Sequence, residues 1–251
     1  MCTLSFLRLA SGYSLMMNRD ESRQRPRVDH IAQASVAGAE GDAVRVAYPV
    51  DPPSGGTWVG VNTRGVAFAL LNIYPQAYAR PAGALSRGRL IPEALRASTA
   101  GGGLERVAAL DLSLTPPFQL VGVEEGHAPL SLRWDGQRLE RRLHGDGAFQ
   151  LSTTGGDPQR VLPDRAARFG AALAAMQDQG EAEVLAAQEA YHFSQEPEPG
   201  PTAVWMSGPV YESVSFTQIL VLPRLILLRY WDRQAVEGGQ EAELVSLKRE
   251  N

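Results

Sequence analysis

The single cysteine of this 251-residue chain directly follows the initiator methionine, a position that suits nucleophilic chemistry. A cysteine side chain is small, so we expect an aminopeptidase to remove Met1 and leave Cys2 with a free α-amine beside its thiol. An α-amine titrates at about pH 8 and can accept a proton from a neighbouring nucleophile, so an N-terminal cysteine carries its own base. The alternative is that Cys2 is inert, as most cysteines are.

A dense polar cluster, Asn18-Arg19-Asp20-Glu21, follows Cys2 at a distance of one hairpin. The β-rich runs on either side of Ser11-Gly12 predict two antiparallel strands joined by a turn. Antiparallel pairing would return the cluster toward the end of the sheet that holds Cys2. A chemical partnership between the cluster and Cys2 is one interpretation. The other is a structural salt bridge between Arg19 and Asp20 that braces the hairpin.

The composition is that of an ordinary globular protein, with 44% hydrophobic residues, 21% charged residues and a net charge of −4. No basic stripe predicts a nucleic-acid partner. No apolar run is long enough for a membrane span, and no signal peptide is predicted, so we expect a cytoplasmic protein. A single lysine among many arginines suggests a bacterial gene. One cysteine excludes an internal disulfide, and the four histidines lack ligand spacing, so no metal is expected.

Further elements follow from periodicity and turn chemistry. Residues 22–43 are polar and irregular and could hold a short strand at their end. The β-rich runs cover residues 44–48, 57–61, 65–72, 118–123, 130–134, 138–142, 149–153, 214–222 and 225–231. Helical spacing is present in residues 86–100, 104–110, 165–176 and 182–191, and Gly101–Gly103 is expected to stop the first of these helices. Residues after about 236 are expected to form a mobile acidic tail.

Hairpins separated by two helix pairs predict an α+β fold, because an alternating βα order would indicate a parallel sheet. Two antiparallel sheets packed face to face, with a helix pair on each outer face, account for this order. There is no internal repeat and no linker, so residues 1–251 are expected to form one domain.

The N-terminal motifs resemble those of the NRDE family, which includes the transport and Golgi organisation proteins. The shared pieces follow the same order in the chain: Met1-Cys2, Asn18-Arg19-Asp20-Glu21, Arg25-Pro26, Gly55-Gly56-Thr57-Trp58-Val59-Gly60, Thr63-Arg64-Gly65, Asn72 and Ser86-Arg87-Gly88. That family in turn resembles N-terminal nucleophile (Ntn) hydrolases of the choloylglycine hydrolase and penicillin V acylase type. The resemblance implies an αββα sandwich and cleavage of amide bonds by an N-terminal cysteine.

The same resemblance implies roles for individual residues. Cys2 matches the nucleophile, Asp20 matches the aspartate that orients the α-amine, and Asn72 matches an asparagine of the oxyanion hole. We expect Asn18 to help Asp20 hold the amine and Arg19 to lower the thiol pKa. Outside this chemistry, Asn72 could simply cap a strand end.

The chain departs from the hydrolase pattern at three places. The arginine that those enzymes place three residues before the aspartate is Met17 here, and their second asparagine corresponds to Thr153 or Thr154. No arginine occupies the expected late position near Glu212 and Ser213. These departures affect the expected hydrolysis but leave the expected fold intact.

Four residues are candidates for substrate binding. Thr57 and Trp58 follow two glycines and could line a pocket, although tryptophan is often a core residue. Arg64 and Arg87 could bind a carboxylate or phosphate of a substrate, or lie in solvated turns.

The sequence therefore predicts an N-terminal-cysteine hydrolase or acyltransferase for a small amide or other acyl substrate, with no cofactor. The alternative is a non-catalytic carrier of haem or of acyl and lipid ligands in the same pocket, because members of the family are linked to haem movement and lipid homeostasis. In that case Cys2 or a nearby histidine would ligate the haem, although Cys2 is followed by Thr3 and not by the proline of a Cys-Pro haem motif.

Overall fold

The computed structural model describes residues 2–28, 30–75, 78–154, 157–196 and 198–250. Their strands are β1 Cys2–Leu9, β2 Gly12–Ser22, β3 Ile31–Ala37, β4 Ala43–Pro49, β5 Val59–Asn62, β6 Ala67–Asn72, β7 Phe118–Val123, β8 Leu130–Trp134, β9 Leu139–Leu143, β10 Ala148–Thr153, β11 Tyr211–Val221, β12 Leu225–Asp232 and β13 Glu243–Lys248. Their α-helices are α1 Leu90–Ala94, α2 Ala100–Ala108, α3 Pro158–Ala174, α4 Glu181–His192 and α5 Arg233–Glu237.

The strands form two antiparallel sheets. The first sheet has the order β10-β1-β2-β11-β12-β13, and the second runs from β3 to β9 in chain order. Residues from both sheets share one hydrophobic core, exemplified by Leu4 and Ile219 of the first sheet and Val61 and Val121 of the second. Burial of such aliphatic side chains contributes about 1.5–3 kcal/mol each relative to their exposure to water.

A pair of helices covers the outer face of each sheet. Helices α1 and α2 pack on β6, β7 and β8, whereas α3 and α4 pack on β10, β1 and β2. Phe68 and Leu70 face the first helix pair, and Leu7 faces Phe169 and Tyr191 of the second pair. The predicted four-layer α+β sandwich is confirmed.

The opening hairpin depends on a glycine at its turn. Gly12 has φ +117°, a backbone conformation that side chains with a Cβ rarely adopt. A Cβ at this position would lie 1.9 Å from the carbonyl oxygen of Val221 on the neighbouring β11. The hairpin can therefore pair closely with β11 only because residue 12 is glycine.

Three local predictions need correction. Gly101–Gly103 does not stop a helix but lies inside α2, which Thr99 caps by accepting a hydrogen bond from the Gly102 amide at 3.0 Å. The predicted helix over residues 86–100 is divided into a 3₁₀ turn at Arg87–Arg89 and the short α1. The short strand that could end the polar segment after Ser22 is the seven-residue β3, which lies in the middle of that segment at Ile31–Ala37.

The expected mobile tail is also not observed, because β13 completes the edge of the first sheet. Its residues pair with β12 from Leu225↔Lys248 to Tyr230↔Glu243. Val245 and Leu247 are buried in the core between the sheets. In the part of the chain that the structure describes, no helix is long and apolar enough to cross a membrane.

Candidate active site

Strand register places Cys2, the first residue of β1, between one residue of β2 and one residue of β10. Cys2 lies opposite Arg19 of β2 on one side and Thr153 of β10 on the other. Residues directly opposite each other in antiparallel strands project from the same face of the sheet, so Cys2 and Arg19 both face the second sheet. The cluster that contains Arg19 is therefore part of β2 itself and does not follow the hairpin.

Cys2 borders a cavity of about 370 Å³ at this end of the sandwich. Seven of the residues singled out in the sequence line it: Cys2, Arg19, Asp20, Thr57, Trp58, Asn72 and Arg87. Further described lining residues include Glu21, Arg25, Asp51, Ser54, Arg80 and Ser86. The volume fits a small ligand, and charged and hydroxyl side chains supply much of the wall.

Arg19 is held in the cavity wall by an aspartate and by an indole. Its Nη2 donates to Asp51 Oδ1 at 2.6 Å, and its guanidinium lies 4.0 Å from the centroid of the Trp58 ring. Arg25 binds the same carboxylate, with Nε 3.0 Å from Oδ1 and Nη2 2.5 Å from Oδ2. Arg19 is therefore directed inward, although Met17 occupies the position of the usual arginine and lies in the core. The alternative interpretation, a salt bridge between Arg19 and Asp20, is not observed, because Arg19 pairs with Asp51.

The two arginines and a serine keep the Asp51 carboxylate ionised. Burial raises the pKa of this carboxyl, but hydrogen bonds from Arg25, Ser54 and Arg19 outweigh burial and lower the pKa of Asp51 to about 2. Opposite charges and hydrogen bonds to the ionised form both favour the carboxylate. Asp51 thus joins the loop after β4 to the hairpin that carries Cys2.

The thiol of Cys2 is buried and is protonated at neutral pH. Burial raises its pKa, and the positive charges of the amino terminus and of Arg19 lower it by smaller amounts. The expected lowering by Arg19 is therefore present but does not decide the direction of the shift. The backbone nitrogen of Cys2 donates a hydrogen bond to Thr153 Oγ1 at 3.1 Å. After removal of Met1, which lies outside the described residues, this nitrogen would be the α-amine.

Asp20 lies on the opposite face of β2 from Arg19, because successive strand residues point to opposite faces. Its Oδ1 accepts a hydrogen bond from Ser213 Oγ at 2.6 Å. Burial raises the pKa of Asp20, whereas the charges of the amino terminus and of Arg165 lower it. The role of Asp20 in holding the α-amine of Cys2 stays a prediction.

Asn18 lies outside the cavity, on the outer face of β2 beneath α4. Its Nδ2 donates to the backbone oxygens of His192 and Val204, and its Oδ1 is 2.9 Å from His192 Nδ1. Because the amide is fully used by these partners, the structure does not bring it to Cys2. Asn18 instead attaches α4 to the sheet.

Asn72 and Arg87 reach the cavity, whereas Arg64 does not. Asn72 ends β6, and its side chain is hydrogen-bonded to that of Tyr74. Arg87 Nη1 donates to the carbonyl oxygen of Pro117 at 2.9 Å. Arg64 lies in the turn before β6 and forms a salt bridge with Asp42.

Sequence reasoning missed two members of the site and underestimated a third. Asp51 follows β4 in a proline-rich turn, and no pattern distinguished it from an ordinary turn aspartate. Arg25 belongs to a motif shared with related proteins, but its partner was not apparent. Thr153 was noted only as one of two residues at the place of the second asparagine of the hydrolases. Its hydroxyl accepts the hydrogen bond from the Cys2 nitrogen.

Three solved structures that share this architecture are named as an acylase, an amidase and a hydrolase. Penicillin V acylase from Agrobacterium tumefaciens matches with a TM-score of 0.60 and 11% identity over 99% of this chain and 86% of that one. The Caenorhabditis elegans N-acylethanolamine-hydrolyzing acid amidase ortholog matches with a TM-score of 0.60 and 9% identity over 88% of this chain and 92% of that one. The C2A mutant of conjugated bile acid hydrolase from Clostridium perfringens matches with a TM-score of 0.60 and 11% identity over 100% of this chain and 94% of that one. A search of curated proteins by sequence found no match.

These similarities define the fold as that of the Ntn hydrolases. The sequence model of the family Transport and Golgi organisation 2 matches residues 1–188 of this chain. The chain belongs to this family, as its N-terminal motifs predict.

Proposed function

We propose that this protein is an N-terminal-cysteine hydrolase or acyltransferase that acts on a small amide or other acyl substrate. The observation that carries the proposal is the position of Cys2, which borders the cavity while its backbone nitrogen is held by Thr153. Loss of Met1 would place an amine and a thiol on the same residue, beside a cavity of suitable size. The fold relatives named as acylases and an amidase support the same reaction type.

The raised pKa of the Cys2 thiol makes a base necessary, because the thiol carries its proton at neutral pH. The neutral α-amine of Cys2 takes this proton while Sγ bonds to the acyl carbon and the carbonyl electron pair moves to oxygen. The tetrahedral intermediate then collapses, the C–N bond breaks, and the α-ammonium returns the proton to the leaving amine. Water or a second nucleophile then attacks the thioester while the same amine takes its proton. The second tetrahedral intermediate collapses, the C–S bond breaks, and the α-ammonium returns the proton to Sγ of Cys2.

Asn72 and Arg19 would stabilise the charge that develops on oxygen and sulfur. An oxyanion-hole donor such as the Asn72 amide typically lowers the barrier by about 3–4 kcal/mol. Arg19 lies across from Cys2 and forms a salt bridge with Asp51. In this proposal Thr153, at the place of the usual second asparagine, directs the α-amine through its hydroxyl.

The proposal is tested by mass and by turnover. Intact mass of the purified chain should show loss of Met1, and an electrophilic acyl probe should label one site, Cys2. A panel of amides, lactones and thioesters should yield turnover with the parent protein and none with Cys2→Ala. Cys2→Ser is the matched variant, which keeps a weaker nucleophile and should retain a small fraction of the rate. Turnover that persists in Cys2→Ala, or in a protein that keeps Met1, would contradict the mechanism.

The carrier function remains the second candidate, supported by one observation. Haem iron is ligated by histidine, cysteine, methionine or tyrosine, and Cys2 is the one such residue among the described residues that line the cavity. Haem held in this cavity should therefore show a Soret band that changes in Cys2→Ala, while Asn72→Ala leaves it intact. Absence of turnover on the whole panel after Met1 loss, together with such a band, would favour the carrier over the enzyme.

A further inference from the structure

Two glycine-containing segments of the cavity wall contact each other through their backbones. A Cβ at Gly56 would lie 2.6 Å from the carbonyl carbon of Gly88, and a Cβ at Gly88 would lie 2.9 Å from the Thr57 nitrogen. The Thr57 amide donates to the Gly88 oxygen at 3.0 Å. Such close approach requires residues without side chains. Arg87 immediately precedes Gly88, so this contact holds the backbone of Arg87 at the cavity wall.

Arg87 is further fixed by its own surroundings. The Leu85 amide donates to the Leu114 oxygen at 2.9 Å, so the segment before Arg87 is attached to the loop that precedes β7. Arg87 Nη1 donates to the oxygen of Pro117, and its other guanidinium nitrogens make no hydrogen bond within the described residues. An arginine fixed in this way presents donors whose orientation is set before any ligand arrives.

The charges in the cavity wall are unevenly balanced. Arg19 and Arg25 share Asp51, and Glu21 lies 3.9 Å from Arg25. Neither Arg87 nor Arg80 has a carboxylate within 4.0 Å in the described part of the chain. The two lie near enough to each other for the charge of Arg80 to lower the pKa of Arg87, after the larger lowering by burial. Arg87 and Cys2 line the same cavity.

We propose that Arg87, assisted by Arg80, binds a carboxylate or phosphate group of the substrate, so that the acyl substrates of this protein are anionic. The inference deepens the proposed function, because it names the substrate class of the same cavity. An arginine fork matches the two oxygens of such a group, and charge-assisted hydrogen bonds of this kind are about twice as strong as neutral ones. A group held at Arg87 orients the acyl carbon toward Cys2.

The binding test uses full-length Cys2→Ala protein, so that its outcome does not depend on turnover. The probes are glutaric acid monoamide, its uncharged counterpart pentanamide, and inorganic phosphate, each titrated by calorimetry. We expect the monoamide to bind at least about ten-fold more tightly than pentanamide, since hydrogen bonds to charged groups contribute about 1.5–3 kcal/mol. Phosphate that displaces the monoamide would identify phosphorylated acyl compounds as members of the class.

Substitutions in the same background locate the anion. Arg87→Gln should abolish the preference for the monoamide, Arg87→Lys should keep part of it, and Arg80→Gln should reduce it. Arg45→Gln is the matched control, because Arg45 is exposed on β4 and makes no salt bridge within the described residues. Equal affinity for the two amides, or a preference that survives Arg87→Gln in a folded variant, would overturn the inference. Turnover of neutral amides without any preference for anionic ones would retain the proposed function and refute this substrate class.

Discussion

At the scale of single residues, the site depends on which partner each charge has. A salt bridge between Arg19 and its sequence neighbour Asp20 was one interpretation of the sequence, but the two residues project from opposite faces of β2. Asp51, from a loop about thirty residues later in the chain, pairs with Arg19 and Arg25 instead. The position of Arg19 beside Cys2 therefore depends on a carboxylate that is 3% exposed.

Replacement of Asp51 by asparagine is expected to destabilise the protein strongly. Arg19 would remain in a buried position without an opposite charge, and breaking a buried pair typically costs about 3–5 kcal/mol. Chemical denaturation of the Asp51→Asn variant measures this loss. Asp146→Asn is the matched control, because the Asp146 side chain is 71% exposed and its surface pair with Arg8 should contribute about 1 kcal/mol or less. Equal losses in the two variants would show that Asp51 is not a buried anchor.

At the scale of elements, glycines determine how closely layers pack. The helix α2 contains Gly101–Gly103, an unfavourable composition for a helix in isolation. A Cβ at Gly103 would lie 2.2 Å from Phe68 Cζ on β6, so a glycine is required where the helix meets the sheet. Tertiary contact and the Thr99 cap thus outweigh the low helix propensity of the segment.

Gly103→Ala is expected to destabilise the protein, and Gly101→Ala is its matched control. The added methyl at Gly103 would displace Phe68, and such overpacking typically costs about 1–3 kcal/mol. A Cβ at Gly101 meets only Leu130 Cδ1, at 3.9 Å, so its better helix propensity should stabilise by up to about 1 kcal/mol. Thermal unfolding of both variants should give shifts of opposite sign. A stabilising effect at Gly103 would refute the close helix–sheet contact.

The strand β13 provides a second test at this scale, through two leucines of different exposure. Leu247 is 1% exposed, whereas Leu244 is 55% exposed. Leu247→Ala should cost about 2–5 kcal/mol because it leaves a cavity in the core, and Leu244→Ala should cost about 0.5 kcal/mol or less. Denaturant unfolding compares the two. Equally small effects would restore the expectation of a mobile tail.

At the scale of the whole molecule, a buried polar network joins the helix layer to the first sheet. His192 of α4 lies 2.7 Å from Ser5 Oγ through Nε2 and 2.9 Å from Asn18 Oδ1 through Nδ1. Asn18 Oδ1 can only accept, so Nδ1 carries the proton and Nε2 accepts from Ser5. Gln188 also donates to Ser5 Oγ at 2.9 Å. The network requires a neutral histidine.

Stability is therefore expected to fall as the pH decreases below about 6.5. Burial and the charge of Arg165 lower the pKa of His192 to about 3, from about 6.5 in the unfolded chain. Between these values the unfolded state binds more protons, so stability is fully present above pH 6.5 and is lost as the pH falls toward 3. The loss attributable to His192 between pH 7 and pH 5 should be about 2 kcal/mol.

His192→Gln isolates this contribution. Its stability should vary less with pH than that of the parent protein across pH 5–7, as measured by denaturant unfolding at each pH. Asp51 does not interfere, because its carboxyl titrates below pH 4 in both states. Asp20 is present in both proteins, so its raised pKa cancels in the comparison. Identical pH profiles would mean that His192 is not the responsible group.

The sequence by itself determined most of the strands, the hairpins and the layered fold, because alternation, turn glycines and amphipathic helices are local patterns. The strand β13 and the extent of β3 emerged only in the structure. The sequence also identified seven of the residues that line the cavity, among them Cys2, Asp20 and Asn72, which belong to motifs shared with related proteins. Only the tertiary structure decided which charges pair, because Asp51 approaches Arg19 through loop geometry that no local pattern records. The same holds for Thr153 beside the Cys2 nitrogen and for the glycines of α2, whose neighbours are distant in the chain.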